Sequence, residues 1–151
     1  PAKHPVRALI LAPTRELAMQ VFESVKSYSQ HTPIRAMCAY GGVDIKPQIA
    51  ELKKGVEILV ATPGRLMDLM QQRVVDLTKV QIFVLDEADQ MLDLGFIHDL
   101  RKISKMLPPK RQTLLFSATM PDEVVKLIGD TLHQPERIEV APPSTTAEKG
   151  V

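Results

Sequence analysis

Three acidic residues within four positions, Asp86, Glu87 and Asp89, directly follow the apolar run Ile82 to Leu85. This run is apolar at successive positions, which is typical of a strand covered on both faces in a parallel sheet. Ligands of open α/β sheets bind beyond the carboxyl ends of strands, so such a strand would deliver the acids to the usual site. An aspartate there can hold Mg²⁺ through water, and a neighbouring glutamate can orient or deprotonate an attacking water. The alternative is that the acids simply favour the N-terminus of a following helix.

Two other segments place a threonine and an arginine where a predicted strand ends and a helix begins. Their residues are Pro13, Thr14 and Arg15 in the first segment, and Thr62, Pro63, Gly64 and Arg65 in the second. Unpaired backbone N–H groups, a hydroxyl and a guanidinium at a helix N-terminus form an arrangement suited to phosphates. Each segment alone is weak evidence, because threonine followed by proline is usually a helix cap.

Small residues follow two more of the predicted strands. Gly41 and Gly42 would let a phosphate approach the backbone closely, although such a pair is usually a turn. Three anion-binding turns at successive strand ends describe a track for a sugar-phosphate backbone. Ser117 and Thr119 can hydrogen-bond the acids of the neighbouring strand and link the metal site to this track, or they can cap the turn before Pro121.

Alternating strands and helices must position these residues. Apolar runs rich in branched residues predict strands at Val6 to Ala12, Ala36 to Tyr40, Glu57 to Ala61, Gln81 to Leu85, Thr113 to Ser117 and Arg137 to Val140. Apolar stripes at helical spacing predict helices at Arg15 to about Gln30, Ile45 to Lys53, Pro63 to Gln72, Phe96 to Met106 and Asp122 to Leu132. This alternation favours an α/β fold with three α/β/α layers, a mainly parallel sheet and right-handed crossovers.

Composition limits the possible functions. A chain of 151 residues that is 44% hydrophobic is expected to form one globular domain. A formal net charge of +1 is too small for binding nucleic acid by bulk charge, so a few placed contacts must do it. The single cysteine and four scattered histidines predict no metal site made of protein ligands alone. No stretch approaches about 20 apolar residues, so we expect a soluble cytoplasmic protein with no membrane partner.

In chain order, the five segments resemble motifs Ia, GG, Ib, II and III of the DEAD-box RNA helicases, over about Val6 to Val140. Gly95 to Asp99 and Leu107 to Gln112 resemble the bacterial RhlE-like group. The resemblance implies a first RecA-like domain of the P-loop NTPase type. It also implies an ATP-dependent RNA helicase that couples ATP binding and hydrolysis to local RNA duplex unwinding and RNP remodelling.

The same resemblance implies a role for each matched residue. Asp86 would bind Mg²⁺ through water, and Glu87 would position and activate the water that attacks the γ-phosphate of ATP. Asp89 would connect this site to Ser117 and Thr119, and to an arginine-rich motif of a second RecA-like domain. The RNA-binding set would contact the phosphates and sugars of one single-stranded path with low sequence specificity. Its members are Pro13, Thr14, Arg15, Gly41, Gly42, Thr62, Pro63, Gly64 and Arg65.

Two sequence motifs of the family are not found in this chain. None of its seven glycines is followed by the Lys-Ser or Lys-Thr of a GxxxxGK[ST] loop, and no segment before Pro13 is long enough for the family's glutamine motif. We therefore expect the natural protein to continue upstream. Residues 1–141 would be a first RecA-like domain without these two regions, residues 142–151 a linker toward a second such domain, and the chain a monomer. Negligible ATPase activity is expected from these residues alone.

Two other classes of function are compatible with parts of the sequence. A helicase-derived module that binds RNA phosphates or a protein partner without hydrolysis is the main alternative. A signalling α/β domain similar to response regulators is disfavoured, because no acid cluster follows the first strand, Val6 to Ala12. The residues alone leave RNA and DNA both open, since discrimination rests on contacts to the 2′-hydroxyl.

Overall fold

The computed structural model describes residues 5–131 and the strand at 138–141. The described elements, in chain order, are β1 (Ala8–Leu11), α1 (Arg15–Ser29), β2 (Ala36–Ala39), α2 (Lys46–Lys53), β3 (Ile58–Ala61), α3 (Pro63–Gln71), β4 (Ile82–Leu85), α4 (Ala88–Asp93), α5 (Ile97–Met106), β5 (Gln112–Phe116), α6 (Asp122–Thr131) and β6 (Ile138–Ala141). Every described strand pairs in parallel, in the order β2-β3-β1-β4-β5-β6. The prediction of a mainly parallel sheet is therefore confirmed.

Most predicted elements are found with small changes at their ends. The strand predicted from Val6 to Ala12 is shorter, Ala8–Leu11, but Arg7 extends the pairing by donating to the Glu57 carbonyl at 2.7 Å. Helix α4 was not predicted separately, because its six residues are too short to show a helical stripe. Arg137, Leu132 and the predicted linker at 142–151 lie outside the described residues.

The sheet separates two hydrophobic clusters, which makes the fold three-layered. On one face, Ala18 of α1 packs with Ala12 and Val60. The opposite face carries the larger core, which draws on helices α2 to α6. Its fully buried large side chains include Leu9, Leu59, Leu66, Phe83, Leu100 and Leu115. In the described ranges, no helix combines the length and apolar character needed to cross a bilayer.

Coverage on both faces was predicted for β4, and this prediction is wrong for the described structure. Phe83 and Leu85 are fully buried, but Ile82 is 37% exposed and Val84 is only partly buried. The described cluster around α1 includes no side chain of β4 or β5. Strand β3, which contacts α1, does have consecutive buried positions from Leu59 to Ala61.

Candidate functional site

The carboxyl ends of five neighbouring strands lie in register at one edge of the sheet. Leu11, the last residue of β1, pairs with Ala61 of β3 on one side and with Leu85 of β4 on the other. Ala61 also pairs with Ala39 of β2, and Leu85 pairs with Leu115 of β5. All five segments singled out in the sequence follow these strands, so they leave the sheet at the same edge.

Backbone hydrogen bonds continue the ladder one residue past the strand ends. Thr62 donates to β2 at 3.0 Å, Ala12 donates to β3 at 3.0 Å, and Asp86 donates to β1 at 2.9 Å. The first residue of each turn is therefore held by the neighbouring strand. Since adjacent strands are about 4.8 Å apart, the three turns at β2, β3 and β1 lie side by side, with the acids of β4 next to them.

Two acids at the end of β4 differ from ordinary acids at a helix start. Asp86 differs in its burial, and Glu87 differs in its backbone conformation. Burial raises the pKa of Asp86, an effect partly opposed by the Glu87 backbone N–H that donates to its carboxylate. Glu87 has a left-handed backbone, with φ 52° and ψ 55°. This conformation costs a non-glycine residue about 1 kcal/mol or more and is found preferentially at functional sites. The alternative, in which the acids only favour the start of α4, gives no reason for this strain.

Asp89 joins the end of β4 to the segment that follows β5. Its Oδ2 accepts from the Thr119 hydroxyl at 2.8 Å and from the Thr119 backbone N–H at 3.2 Å, and its Oδ1 accepts from the Gln90 N–H at 3.0 Å. The Ser117 hydroxyl donates to the Thr119 carbonyl at 2.6 Å, which fixes the turn itself. Burial alone would raise the pKa of Asp89, but these hydrogen bonds outweigh it and the pKa lies below its ordinary value.

Thr14 and Arg15 open α1 at the end of β1. The Thr14 oxygen accepts from the Leu17 backbone N–H at 3.2 Å and so caps the helix, which leaves its hydroxyl hydrogen free to donate to a ligand. Pro13 is buried, whereas Arg15 is exposed and its guanidinium carbon lies 4.8 Å from the centre of the Tyr40 ring. This cation–π contact orients an exposed arginine across the turn that follows β2.

Gly41 and Gly42 are both exposed, and a Cβ at either position would meet no atom within 4 Å. They differ in backbone conformation, because only Gly42 has a positive φ, +83°. The open space beside both residues allows a ligand to approach the main chain closely. The turn therefore requires glycine at Gly42 for its conformation, whereas a requirement at Gly41 would come from a ligand.

Thr62, Pro63 and Gly64 open α3 at the end of β3. Thr62 is the N-cap residue and Pro63 occupies the first helical turn, as predicted, but the Thr62 side chain makes no capping hydrogen bond. Gly64 is partly exposed with open space beside it. The first turn of α3 therefore has backbone N–H groups without the usual side-chain cap, which is the condition for binding an anion there.

Arg65 belongs to the same predicted RNA-binding set but is only 9% exposed. One terminal nitrogen donates to Gln48 Oε1 at 2.9 Å and the other donates to the Val43 carbonyl at 2.9 Å. Its Nε lies 3.8 Å from an Asp68 carboxylate oxygen and has no hydrogen-bond partner among the described residues. The guanidinium of Arg65 therefore joins helix α2, through Gln48, to the turn after β2, through Val43.

Gln48 and Tyr40 were not singled out from the sequence. Gln48 is 8% exposed, and its Nε2 donates to the Tyr40 carbonyl at 3.2 Å. A signal for Gln48 was present, because it lies on the same helical stripe as Ile45, Ile49 and Leu52, where an apolar residue is expected. No comparable signal marked Tyr40, since an aromatic residue at a strand end is ordinary.

A divalent metal would have one candidate ligand here. Among residues 5–131 and 138–141, no group of three or more histidine, cysteine and acidic side chains could hold a metal ion. The partly buried Asp86 carboxylate instead fits Mg²⁺, which keeps several of its waters and is commonly bound through one or two carboxylates.

Known proteins are similar to this chain in both sequence and fold. The family model described as DEAD/DEAH box helicase matches residues 1–128. The ATP-dependent RNA helicase CshA of Listeria monocytogenes is 49% identical over 94% of this chain, and the ATP-dependent RNA helicase DBP2 of Eremothecium gossypii is 48% identical over 93%. A crystal structure of a DEAD box protein from the hyperthermophile Methanococcus jannaschii superposes with a TM-score of 0.83 and 38% identity over 96% of this chain and 39% of that one.

The chain spans only part of these relatives, 27% of CshA and 25% of DBP2. The structural match nevertheless confirms the three-layer α/β/α fold of the RecA-like type. Because the family model covers most of the chain, the assignment does not depend on any single motif. The chain belongs to the DEAD/DEAH box helicase family.

Proposed function

We propose that this chain is the part of an ATP-dependent RNA helicase that carries the magnesium and water-activating acids together with one half of the RNA path. The protein uses ATP binding and hydrolysis to open RNA duplexes locally and to remodel RNPs. The observation that carries the proposal is the register of Ala39, Ala61, Leu11, Leu85 and Leu115, which brings the turns after these five strands to one edge of the sheet.

Asp86 and Glu87, the first two acids after β4, act in ATP binding and hydrolysis. Asp86 would hold Mg²⁺ through water, and Glu87 would position and activate the water that attacks the γ-phosphate. A bound Mg²⁺ would neutralise charge on the phosphate oxygens. The left-handed backbone of Glu87 supports this role, because strained conformations of non-glycine residues occur preferentially at functional sites.

Asp89, Ser117 and Thr119 couple the nucleotide site to the rest of the protein. The two hydrogen bonds from Thr119 to Asp89 tie the acids of β4 to the turn after β5, so a movement of one is transmitted to the other. Asp89 also faces an arginine-rich motif of a second RecA-like domain. Closure of the two domains over ATP then bends one RNA strand.

The turns after β1, β2 and β3 hold the RNA. Arg15 and Thr14 contact phosphates, Gly41 and Gly42 admit the backbone at close range, and Gly64 in the first turn of α3 supplies a backbone N–H donor. Contacts of this kind bind the sugar-phosphate chain and not base edges, so sequence specificity is low. The choice of RNA over DNA, the RhlE-like subgroup and a direct RNA contact by Arg65 are parts of the same proposal.

The second candidate is a binding module that holds RNA without hydrolysis. It needs only the turns after β1, β2 and β3, which the register of Leu11, Ala39 and Ala61 brings to one edge. On either proposal, we expect negligible ATPase activity from the isolated chain.

Glu87→Gln in the full-length protein that carries this chain separates the two candidates. The enzyme proposal expects RNA-stimulated ATP turnover to fall by about 100-fold or more, with ATP-dependent RNA binding retained. Glu51→Gln, an exposed position on α2, is the matched control and is expected to leave both measurements unchanged. Unchanged turnover in Glu87→Gln would reject the role of Glu87, and absence of turnover in the unsubstituted protein would favour the binding module.

A further inference from the structure

The buried side chains of Gln48 and Arg65 hydrogen-bond to the two ends of the turn after β2. Gln48 donates to the Tyr40 carbonyl at 3.2 Å, and Arg65 donates to the Val43 carbonyl at 2.9 Å. These carbonyls flank the glycine pair, Gly41 and Gly42. The two side chains are joined to each other by the hydrogen bond from Arg65 to Gln48 Oε1, 2.9 Å long.

Gln48 is the residue that all these contacts share. Its amide nitrogen holds the Tyr40 carbonyl, while its amide oxygen holds the guanidinium that reaches Val43. Both Gln48 and Arg65 are more than nine-tenths buried, at 8% and 9% exposure. Hydrogen bonds at such sites fix geometry well, because water cannot easily replace a lost partner.

The glycine pair cannot define the shape of this turn by itself. Gly41 and Gly42 have no side chains, no atoms lie within 4 Å of a Cβ position, and glycine has wide conformational freedom. A turn that must present its backbone to a phosphate in one shape therefore needs an external constraint. The Gln48–Arg65 pair is such a constraint, and it also connects the turn to the helix start at Thr62 to Gly64.

We propose that Gln48 is a positioning residue for RNA binding, which acts through Arg65 and the Tyr40 carbonyl to hold the glycine turn in the shape that receives the sugar-phosphate backbone. This inference rests on the proposed function of the same edge. The amide of Gln48 is occupied by the Tyr40 carbonyl and by Arg65, so its effect is on the affinity for RNA and not on the chemistry of ATP.

The test compares Gln48→Met with the unsubstituted full-length protein. Methionine keeps the length and the helical preference of glutamine but makes neither hydrogen bond. The RNA concentration that half-stimulates ATP turnover is expected to rise about tenfold. Turnover at saturating RNA, turnover without RNA and the ATP concentration for half-saturation are expected to change by less than about twofold.

Two further variants separate positioning from general loss of structure. Gln48→Glu keeps an acceptor for Arg65 but replaces the donor to Tyr40 with a carboxylate oxygen that repels the Tyr40 carbonyl, so it is also expected to weaken RNA binding. Gln71→Met makes the same substitution at an exposed position of α3 and is expected to have no effect. Backbone amides of Gly42 and Val43 should exchange hydrogen faster in Gln48→Met, even without RNA.

The outcomes distinguish the inference from the function on which it rests. A normal RNA response in Gln48→Met and Gln48→Glu would overturn the positioning role alone. Equal loss of activity with and without RNA would assign Gln48 to general stability and also overturn it. Absence of any RNA stimulation in the unsubstituted protein would reject the proposed function and this inference together.

Discussion

Oδ2 of Asp89 accepts two hydrogen bonds from Thr119, one from its hydroxyl at 2.8 Å and one from its backbone N–H at 3.2 Å. The two residues follow neighbouring strands, β4 and β5, and are 30 positions apart in the chain. Their contact joins the acidic turn to the serine–threonine turn.

The Asp89–Thr119 contact predicts a pH-dependent loss of stability in Thr119→Val. Hydrogen bonding holds the pKa of Asp89 in the folded protein below its unfolded value, so this stabilisation is present above the unfolded pKa and is lost as pH falls through the folded pKa. Valine removes the hydroxyl donor, and because Thr119 is exposed we expect a loss of less than about 1 kcal/mol at pH 7. Urea unfolding at several pH values measures the difference in the free energy of unfolding between Thr119→Val and the unsubstituted protein. This difference should shrink as Asp89 becomes protonated.

Thr119→Ser is the control for that experiment, because serine keeps the hydroxyl. It should match the unsubstituted protein more closely than valine does at pH 7. A loss in Thr119→Val that is the same at acidic and neutral pH would show that packing, and not the carboxylate, causes the change.

Asp86→Asn is expected to remove activity without removing stability. Burial raises the pKa of Asp86, so at neutral pH the folded protein carries the cost of a partly buried charge, and this cost disappears as pH falls through the ordinary carboxyl range. Asparagine is nearly isosteric and uncharged, so the free energy of unfolding in metal-free buffer should be equal or higher at pH 7. Magnesium-dependent ATP turnover of the full-length protein should fall by about 100-fold or more.

Asp93→Asn, at an exposed position of α4, is the comparison for charge removal alone. Neither its stability nor its turnover should change beyond experimental error. Undiminished turnover in Asp86→Asn would exclude this carboxylate as the magnesium ligand.

Alanine at the two glycines should separate a conformational requirement from a ligand requirement. Gly42→Ala forces a side chain onto a backbone with φ +83° and is expected to cost about 1 kcal/mol of stability. Gly41→Ala has open space and no positive φ, so its stability should be unchanged within about 0.5 kcal/mol. If a phosphate approaches the backbone here, Gly41→Ala should nevertheless lower RNA affinity. Equal RNA affinity in Gly41→Ala and the unsubstituted protein would contradict close approach at Gly41.

The ring of Tyr40 is expected to contribute to RNA affinity through Arg15. The Arg15 guanidinium lies 4.8 Å from the ring centre, and such a contact at an exposed site is worth about 0.5–1 kcal/mol. Tyr40→Leu should therefore raise the dissociation constant for single-stranded RNA by up to about fivefold, measured by fluorescence anisotropy with the full-length protein. Tyr40→Phe keeps the ring and should bind normally. Equal binding by the leucine and phenylalanine variants would rule out this orienting role.

The sequence predicted the arrangement of the site better than the contacts within it. Apolar runs ending in Leu11, Ala61 and Leu85 identify strands, and parallel strands necessarily deliver their following residues to one edge. The common edge thus follows from local patterns and a general rule of α/β folds. The internal role of Arg65 does not, because its partners lie 17 and 22 positions away and no local pattern encodes such distances.

The burial of β4 was mispredicted for a related reason. Four successive apolar residues, Ile82 to Leu85, indicate a strand, but they do not reveal which helix covers each face. That depends on where α1 crosses the sheet, which is a property of the whole fold. The left-handed backbone of Glu87 was equally invisible, since glutamate has no preference for that conformation.

Arg111 is expected to stabilise the fold without contributing to RNA binding or ATP turnover. Its guanidinium donates to the Ser104 hydroxyl at 3.0 Å, to the Thr131 carbonyl at 2.8 Å and to the Pro108 carbonyl at 2.9 Å, and it lies 5.5 Å from the Phe83 ring centre. Arg111→Lys cannot make these bonds from one ammonium group, so the free energy of unfolding should fall by about 2 kcal/mol or more.

Arg111 precedes β5, whereas Ser117 follows that strand, so the arginine lies at the opposite edge of the sheet from the site. Below the unfolding transition, Arg111→Lys should therefore keep the RNA affinity and ATP turnover of the full-length protein within about twofold. Lys110→Met, at the exposed neighbouring position, should change neither stability nor activity. A large loss of turnover in a fully folded Arg111→Lys protein would show that the two edges of the sheet are coupled, and a stability change below about 0.5 kcal/mol would show that the guanidinium contacts contribute little.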